Sequence, residues 1–363
     1  MSIRKKRVIN ITISTDISGN GGIATVLNVM RDGGFFEKWQ VVLLPTNTKS
    51  RALFGLYRYF VFAKALALLV YYHLFCNVNL VHIHTASRWS FFRKSCVVRL
   101  TKLLGGHVVL HLHGAEFREF YEFECSEKKQ QKIRKTFDLA DKVVVLSTQW
   151  LEWTAGILAH PERAVVVYNS VLAVPPSKSE RDSNLILFLG RVGPRKGAED
   201  LINAFARISK DFPEARLALG GDGDIETYKQ LVSTLGLDDR IEFLGWVSGD
   251  EKSRWLRQAG IYALPSYNEG FPMGVLEAMS AGAAVLASRA GGIPDAITHK
   301  KEGLLVEAGD VDGIAECLRV LLSDDNLRSM YAAEAKNKFL NNFSPDVIFP
   351  QLDSIYAQFS DSK

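Results

Sequence analysis

Between Glu37 and Glu116 the sequence holds no acidic residue, yet ten basic ones fall there: Lys38, Lys49, Arg51, Arg58, Lys64, Arg88, Arg93, Lys94, Arg99 and Lys102. The net charge over 363 residues is only +4, so the bias is one of distribution. Residues 1–180 carry 24 Lys and Arg against 13 Asp and Glu, and residues 181–363 carry 20 against 27. A solvated basic face is the plain reading. Aromatic neighbours in RYFVFAK and RWSFFRK favour an anionic partner: lipid headgroups, a lipid pyrophosphate or nucleic acid.

Other absences narrow the class. The four cysteines, Cys76, Cys96, Cys125 and Cys317, form no C-x-x-C pair, which excludes a zinc ribbon and a disulfide framework. Neither G-x-G-x-x-G nor G-K-[ST] occurs, so the nicotinamide fingerprint and the P-loop are both missing. The most apolar run, residues 52–76, is interrupted by Arg58, Lys64 and His73. It reads as a buried or surface-docked helix, not a spanning one. The basic start MSIRKKR precedes an apolar run too short and β-branched for a secretory leader.

What is present is β/α alternation, twice over. Strands are expected at 8–14, 41–44, 80–84, 107–113, 142–147 and 164–168. A polar, proline-bearing segment follows, and the pattern restarts at 185–190, 215–220, 241–245, 261–265, 283–288 and 303–307. The expected fold class is α/β, with two doubly wound parallel sheets in Rossmann-like domains. The expected boundaries are 1–172, a linker at 173–184, a second domain at 185–343, and a C-terminal helix at 344–363 packing back on the first domain.

Ligands of such sheets bind at the carboxyl ends of strands, so the loops there carry the chemistry. After the first strand, Gly19, Gly21 and Gly22 lead into a helix, a phosphate-approach loop or simply a tight turn. His113 ends the fourth strand with Gly114 behind it. In FLGRVGPRKGAEDL, Arg191 and Lys196 flank a turn before a helix, a diphosphate arrangement. Asp222 and Asp224 suit a turn and helix N-cap better than a metal site. In YNEGFPMGVLEAMSAG, Glu269 and Gly270 lie in a loop and Glu277 lies inside the next helix. Two carboxylates there are hydroxyl acceptors, which points to a polyhydroxylated ligand bearing a diphosphate.

The succession GRVGPRKG, LGGDGD, LPSYNEGFPMGVLEAMSAGAAVLAS, AGGIPDAI and EGLLVEAGD closely resembles the donor-binding half of family 4 glycosyltransferases. The resemblance is continuous over about 185–325, with Glu269 and Glu277 its most specific part. The N-terminal half matches only in outline, through SGNGGI and HLHG. It implies a retaining GT-B enzyme, two Rossmann-like domains facing a cleft, with a nucleotide-diphosphate sugar as donor. On that resemblance Arg191 and Lys196 bind the diphosphate, Glu277 the ribose, and Glu269 with Gly270 the donor sugar. Gly21 and Gly22 approach the phosphates, and His113 stands beside the sugar and reaction centre. The pattern departs at Tyr168-Asn169-Ser170, where Pro-Asn-Gly is usual, and at Asp295, where Glu is. No cofactor or metal is implied.

The HIHTAS and RWSFFRKS segments also resemble bacterial surface-polysaccharide members. The expected acceptor is therefore a polyprenyl-diphosphate-linked saccharide, and the donor GDP-mannose or a UDP-sugar. The expected location is the cytoplasmic face of the inner membrane, held peripherally by anionic lipid. A nucleotide-sugar epimerase and a non-catalytic nucleotide-sugar-binding protein are the alternatives. A nucleic-acid binder would leave Glu269 and Glu277 unexplained.

Overall fold

The computed structural model describes residues 7–19, 21–48, 56–176 and 181–360. The chain divides into two compact units, Met1–Ser170 with Ile348–Lys363, and Val171–Val347.

The first unit opens with β1 (Val8–Ser14), α1 (Gly22–Asp32), α2 (Phe35–Lys38), β2 (Val41–Pro45) and α3 (Leu56–Phe75). It continues with β3 (Asn77–Thr85), α4 (Trp89–Leu103), β4 (Val108–Leu112), α5 (Phe117–Phe123) and α6 (Glu127–Asp138). It then runs through β5 (Lys142–Val145), α7 (Thr148–Ala155) and β6 (Ala164–Val166). The strands form one parallel sheet in the order β2-β1-β3-β4-β5-β6.

The second unit contains β7 (Asp182–Leu189), α8 (Ala198–Ile208), β8 (Arg216–Gly220), α9 (Ile225–Thr234) and β9 (Ile241–Gly245). After these come α10 (Gly249–Gln258), β10 (Ala259–Leu264), α11 (Met273–Ala281), β11 (Ala284–Ser288) and α12 (Ile293–Ala296). It closes with β12 (Gly303–Val306), α13 (Val311–Ser323) and α14 (Asp325–Asn342). Its sheet is also parallel, ordered β12-β11-β10-β7-β8-β9.

All twelve expected strands are present, displaced by a residue or two at most ends. They were readable because parallel strands covered by helices are buried on both faces and appear as continuous apolar runs. Val81, Ile83, Val108, Leu110, Val143 and Val145 are fully buried in the first unit. Strand β3 begins three residues early, at Asn77, and so does β7, at Asp182, inside the expected linker. Its polar start is held by Arg216 on the Asp182 carboxylate at 2.7 Å.

The last helix, α15 (Pro345–Ser360), joins the first unit through an aromatic cluster. Tyr356 packs on Phe35 at 5.1 Å and on Trp39 at 5.2 Å between ring centroids. Asp353 accepts from both Lys38 Nζ and Trp39 Nε1 at 2.6 Å.

The basic run is not a single free face. Lys49 and Arg51 lie outside the described residues. Lys38 pairs with Asp353, Lys102 with Asp141, and Arg88 with both Glu116 and Glu124. Lys94 is fully buried, because α4 turns the stripe Phe91, Lys94, Ser95, Val98 and Thr101 inward at helical spacing. Arg93 is partly buried. Among the described residues of the run, Arg58, Lys64 and Arg99 remain exposed without a recorded ion pair.

Helix α3 is likewise not buried. It meets the sheet through Ala65 and Leu69, while Tyr59, Phe60, Tyr71, Leu74 and Phe75 are exposed. By length and composition alone it is long and apolar enough to cross a membrane.

Candidate active site

In the second sheet the strand order reverses between β7 and β10, and the loops after these two strands hold the predicted residues. Such a reversal opens a crevice at the carboxyl ends, where α/β sheets take their ligands. The β7 loop is a 3-10 turn, Pro194–Lys196, closed by Gly197 at φ +68°. It is laced to the β10 loop by backbone and side chain. Tyr267 N–H donates to Arg195 O at 2.9 Å, and Arg195 Nη1 donates to Asn268 O at 3.0 Å.

Lys196 Nζ bridges to Glu269 Oε1, which also accepts from Ser266 Oγ at 2.7 Å. Ser266 is set in turn by the Ser288 hydroxyl donating to its carbonyl. Glu269 is 5% exposed, so its carboxylate is desolvated and depends on these donors. The loop after β11 closes from the other side. Gly292 N–H donates to Gly270 O at 3.0 Å. Gly291 has φ +53°, and a Cβ there would lie 1.7 Å from Glu269 O, so only glycine fits.

Glu277 faces inward from the second turn of α11 and is 9% exposed. Lys252 of α10 reaches its Oε1 at 2.6 Å. Tyr262 of β10 lies close to both glutamates. Its hydroxyl donates to Leu189 O at 3.2 Å, and burial first, then the charges of Glu277 and Glu269, push its pKa well up, so it stays a phenol. Gly274 is small for this reason: a Cβ on it would meet Tyr262 Oη at 2.2 Å.

Sequence reasoning missed Lys252 and Tyr262. A lysine on a charged surface helix and a tyrosine in an apolar strand carry no motif of their own.

Positive potential at this crevice comes from Lys196, the exposed Arg191 and the N-terminus of α11, whose first turn has no acidic residue. Helix α8 contributes less than expected, since Glu199 and Asp200 sit in its first turn. Asp224 caps α9 in position but makes no side-chain cap bond, and instead accepts from Thr227 Oγ1 at 2.7 Å. Asp222 uses its backbone carbonyl, which accepts from Val192 N at 2.7 Å.

The first unit keeps its predicted residues in a separate group. Its sheet order reverses between β1 and β3. Gly21 and Gly22 open α1 after β1, in backbone any residue adopts, and a Cβ on either would meet nothing within 4 Å. Neither backbone angle nor packing requires glycine at these two positions. His113 follows β4, half-buried, its pKa lowered to about 3 by burial and then by His82, so the ring is neutral.

The chain therefore consists of two doubly wound α/β units, the second with lysine-paired carboxylates at its switch point. The family model for Glycosyl transferases group 1 matches residues 174–338. The D-inositol 3-phosphate glycosyltransferase of Corynebacterium efficiens is 36% identical over 245 residues, 61% of this chain and 58% of that protein. The N-acetyl-alpha-D-glucosaminyl L-malate synthase of Bacillus anthracis is 26% identical over 294 residues, 77% of this chain and 74% of that one. Among solved structures, Anabaena Alr3699/HepE in complex with UDP-glucose superposes with a TM-score of 0.76 at 18% identity, covering 96% of this chain and all of that one. The matched residues, under half of the chain, resemble the group 1 glycosyltransferases, the chain spans less than two thirds of the length of the first curated relatives it matches, and its two-sheet α/β fold is that of GT-B glycosyltransferases.

Proposed function

We propose that the chain is a retaining glycosyltransferase that moves a hexosyl group from a nucleotide-diphosphate sugar to a saccharide carried on a polyprenyl diphosphate. Its setting is the cytoplasmic face of a membrane, in assembly of a bacterial surface polysaccharide. The observation that carries the activity is the pair of lysine–glutamate contacts, Lys196–Glu269 and Lys252–Glu277, at the β7/β10 switch point.

The departing nucleoside diphosphate is an anion. Lys196, Arg191 and the α11 N-terminus stabilise it as its charge develops, with no metal needed. Glu277 accepts from the ribose hydroxyls, oriented by Lys252. Glu269 and Gly270 address the sugar. In same-face attack the acceptor oxygen bonds to the anomeric carbon as the carbon–phosphate-oxygen bond breaks. The acceptor's hydroxyl proton passes to the leaving diphosphate. His113, neutral, hydrogen-bonds a sugar hydroxyl rather than titrating. A uridine nucleotide is supported by the UDP-glucose bound to the Anabaena protein.

The lipid-linked acceptor rests on α3, whose exposed Phe60, Tyr71 and Phe75 fall at helical spacing on one face with Lys64. An apolar strip with interspersed cations suits the headgroup boundary of an anionic leaflet. A second reading, a soluble anionic acceptor, is favoured by the relatives named for D-inositol 3-phosphate and L-malate.

The test is transfer from radiolabelled UDP-sugars and GDP-mannose to polyprenyl-diphosphate saccharide, inositol phosphate or malate. Label in the organic phase with the anomeric configuration retained supports the first reading. Label confined to a water-soluble product selects the second. Nucleotide binding without transfer, or isomerisation of the free donor, sinks both. Activity is expected to survive EDTA. Loss restored by Mn²⁺ would bring Asp222 and Asp224 back as ligands.

A further inference from the structure

The Lys252–Glu277 contact joins two helices, and a second cation holds both of them one turn further along. That cation is Arg181, the residue before β7. The sheet places its backbone, because the next residue, Asp182, pairs with Ala259 at the start of β10. Arg181 Nη1 donates to Leu256 O at 3.3 Å and to Ala259 O, and Nη2 donates to Ala281 O at 2.6 Å. Leu256 lies in the last turn of α10, Ala259 caps that helix, and Ala281 ends α11. The side chain is half-buried, and its recorded partners are all main-chain carbonyls.

The spacing ties these bonds to the ion pair. Leu256 is four residues beyond Lys252, and Ala281 is four residues beyond Glu277. Four residues are about one helical turn, roughly 6 Å along the axis. One guanidinium therefore grips each helix a single turn beyond a member of the pair. That turn is stiff, because the N–H of residue i+4 bonds to the carbonyl of residue i. A slide of about 1 Å between α10 and α11 would take the 2.6 Å Lys252–Glu277 contact beyond hydrogen-bond range.

The chemistry explains why an arginine stands there. The last carbonyls of a helix have no intrahelical partner and carry the negative end of its dipole. Two such ends side by side repel. A planar cation with donors on separate nitrogens satisfies both at once, whereas a lysine presents its donors from one point. A second tie reaches the glutamate from the same stretch of chain. Val174 N–H donates to Ser280 Oγ at 3.3 Å, and Ser280 Oγ donates to Glu277 O at 2.9 Å.

We propose that Arg181 is a positioning residue that fixes the register of α10 against α11, so that Lys252 meets Glu277 and aims its carboxylate at the ligand. That the ligand is the ribose of a nucleotide-sugar donor rests on the glycosyltransferase reading; the clamp does not.

A double-mutant cycle tests the clamp without any ligand. Urea unfolding of wild type, Lys252→Met, Glu277→Gln and the double variant gives the coupling within the pair, and the cycle is repeated in Arg181→Met and Arg181→Lys. With Arg181 present the coupling is expected to be about three- to tenfold in the unfolding equilibrium constant. It is expected to vanish in Arg181→Met and to be reduced in Arg181→Lys, which keeps the charge without the fork. A general loss of stability does not mimic this, because the cycle subtracts it. If Arg181→Met does not fold, Arg181→Lys carries the same test. Undiminished coupling in the Arg181 variants, or none in wild type, would overturn the proposal.

Calorimetry with UDP, GDP and their 2′-deoxy counterparts reads the use of the pair. Wild type is expected to prefer a ribonucleotide about tenfold, the scale of one hydrogen bond to a charged group. Arg181→Met is expected to lose most of that preference while binding the deoxynucleotide as before. Full preference kept in Arg181→Met, or equal weakening of both nucleotides, would also overturn the proposal. If the coupling behaves as expected while wild type does not distinguish the two sugars, the clamp stands and the placement of ribose at Glu277 falls.

Discussion

Replacing Lys94 by methionine should stabilise the protein, and by an amount that depends on pH. The side chain is fully buried, and burial first, then Arg93, lowers its pKa from 10.5 to about 7. In the unfolded chain it binds a proton up to its ordinary value; in the fold it releases that proton near neutrality. Between these limits the unfolded state holds more protons, so wild-type stability rises with pH. The cost of burying the lysine is therefore fully present below pH 7 and fades toward 10.5. At about 1.4 kcal/mol per tenfold change, it is on the order of 4 kcal/mol at pH 7 and under about 1 at pH 10. Methionine fills a similar volume without a charge. The loss of the long contact with Ser90, at 3.4 Å, removes little. Urea denaturation of wild type and Lys94→Met, followed by circular dichroism from pH 6 to 10, measures the difference directly, since other titrating groups cancel. A gain below about 1 kcal/mol at pH 7, or one that does not shrink as pH rises, would refute the argument. It would mean that the amine is solvated or holds a partner anion.

Three other outcomes are expected. Lys196→Ala should cost roughly 10²-fold or more in kcat, because leaving-group charge is greatest in the transition state; a change in KM alone would make it a ground-state binder. Gly274→Ala should destabilise by about 1–3 kcal/mol through its clash with the Tyr262 hydroxyl, and Tyr262→Phe should relieve most of that cost in the double variant, as thermal denaturation would record. Sedimentation with anionic vesicles should be salt-sensitive and lost in Arg58→Glu with Lys64→Glu, at about 1 kcal/mol per cation; reversing Arg88, already paired with Glu116 and Glu124, should matter less.

The alternation of apolar runs was enough to place every strand, because burial on both faces of a parallel sheet leaves no polar positions to blur the pattern. Glycine and proline at the loops marked where the crevice residues lie, since turns and close backbone approaches demand those residues locally. Partnership between charges was another matter. Lys196 and Glu269 are 73 positions apart, Lys252 and Glu277 are 25 apart, and Arg88 meets Glu124 across 36. A run of ten cations says nothing about which of them a helix turns inward, and α4 turned Lys94 into the core. Likewise HIH and HLH are merely two triplets until β3 and β4 pair with His84 opposite His111. Local steric preference and burial act within a few residues and are written along the chain. Pairing, desolvation and proton position depend on what the fold brings from elsewhere, and those it alone decides.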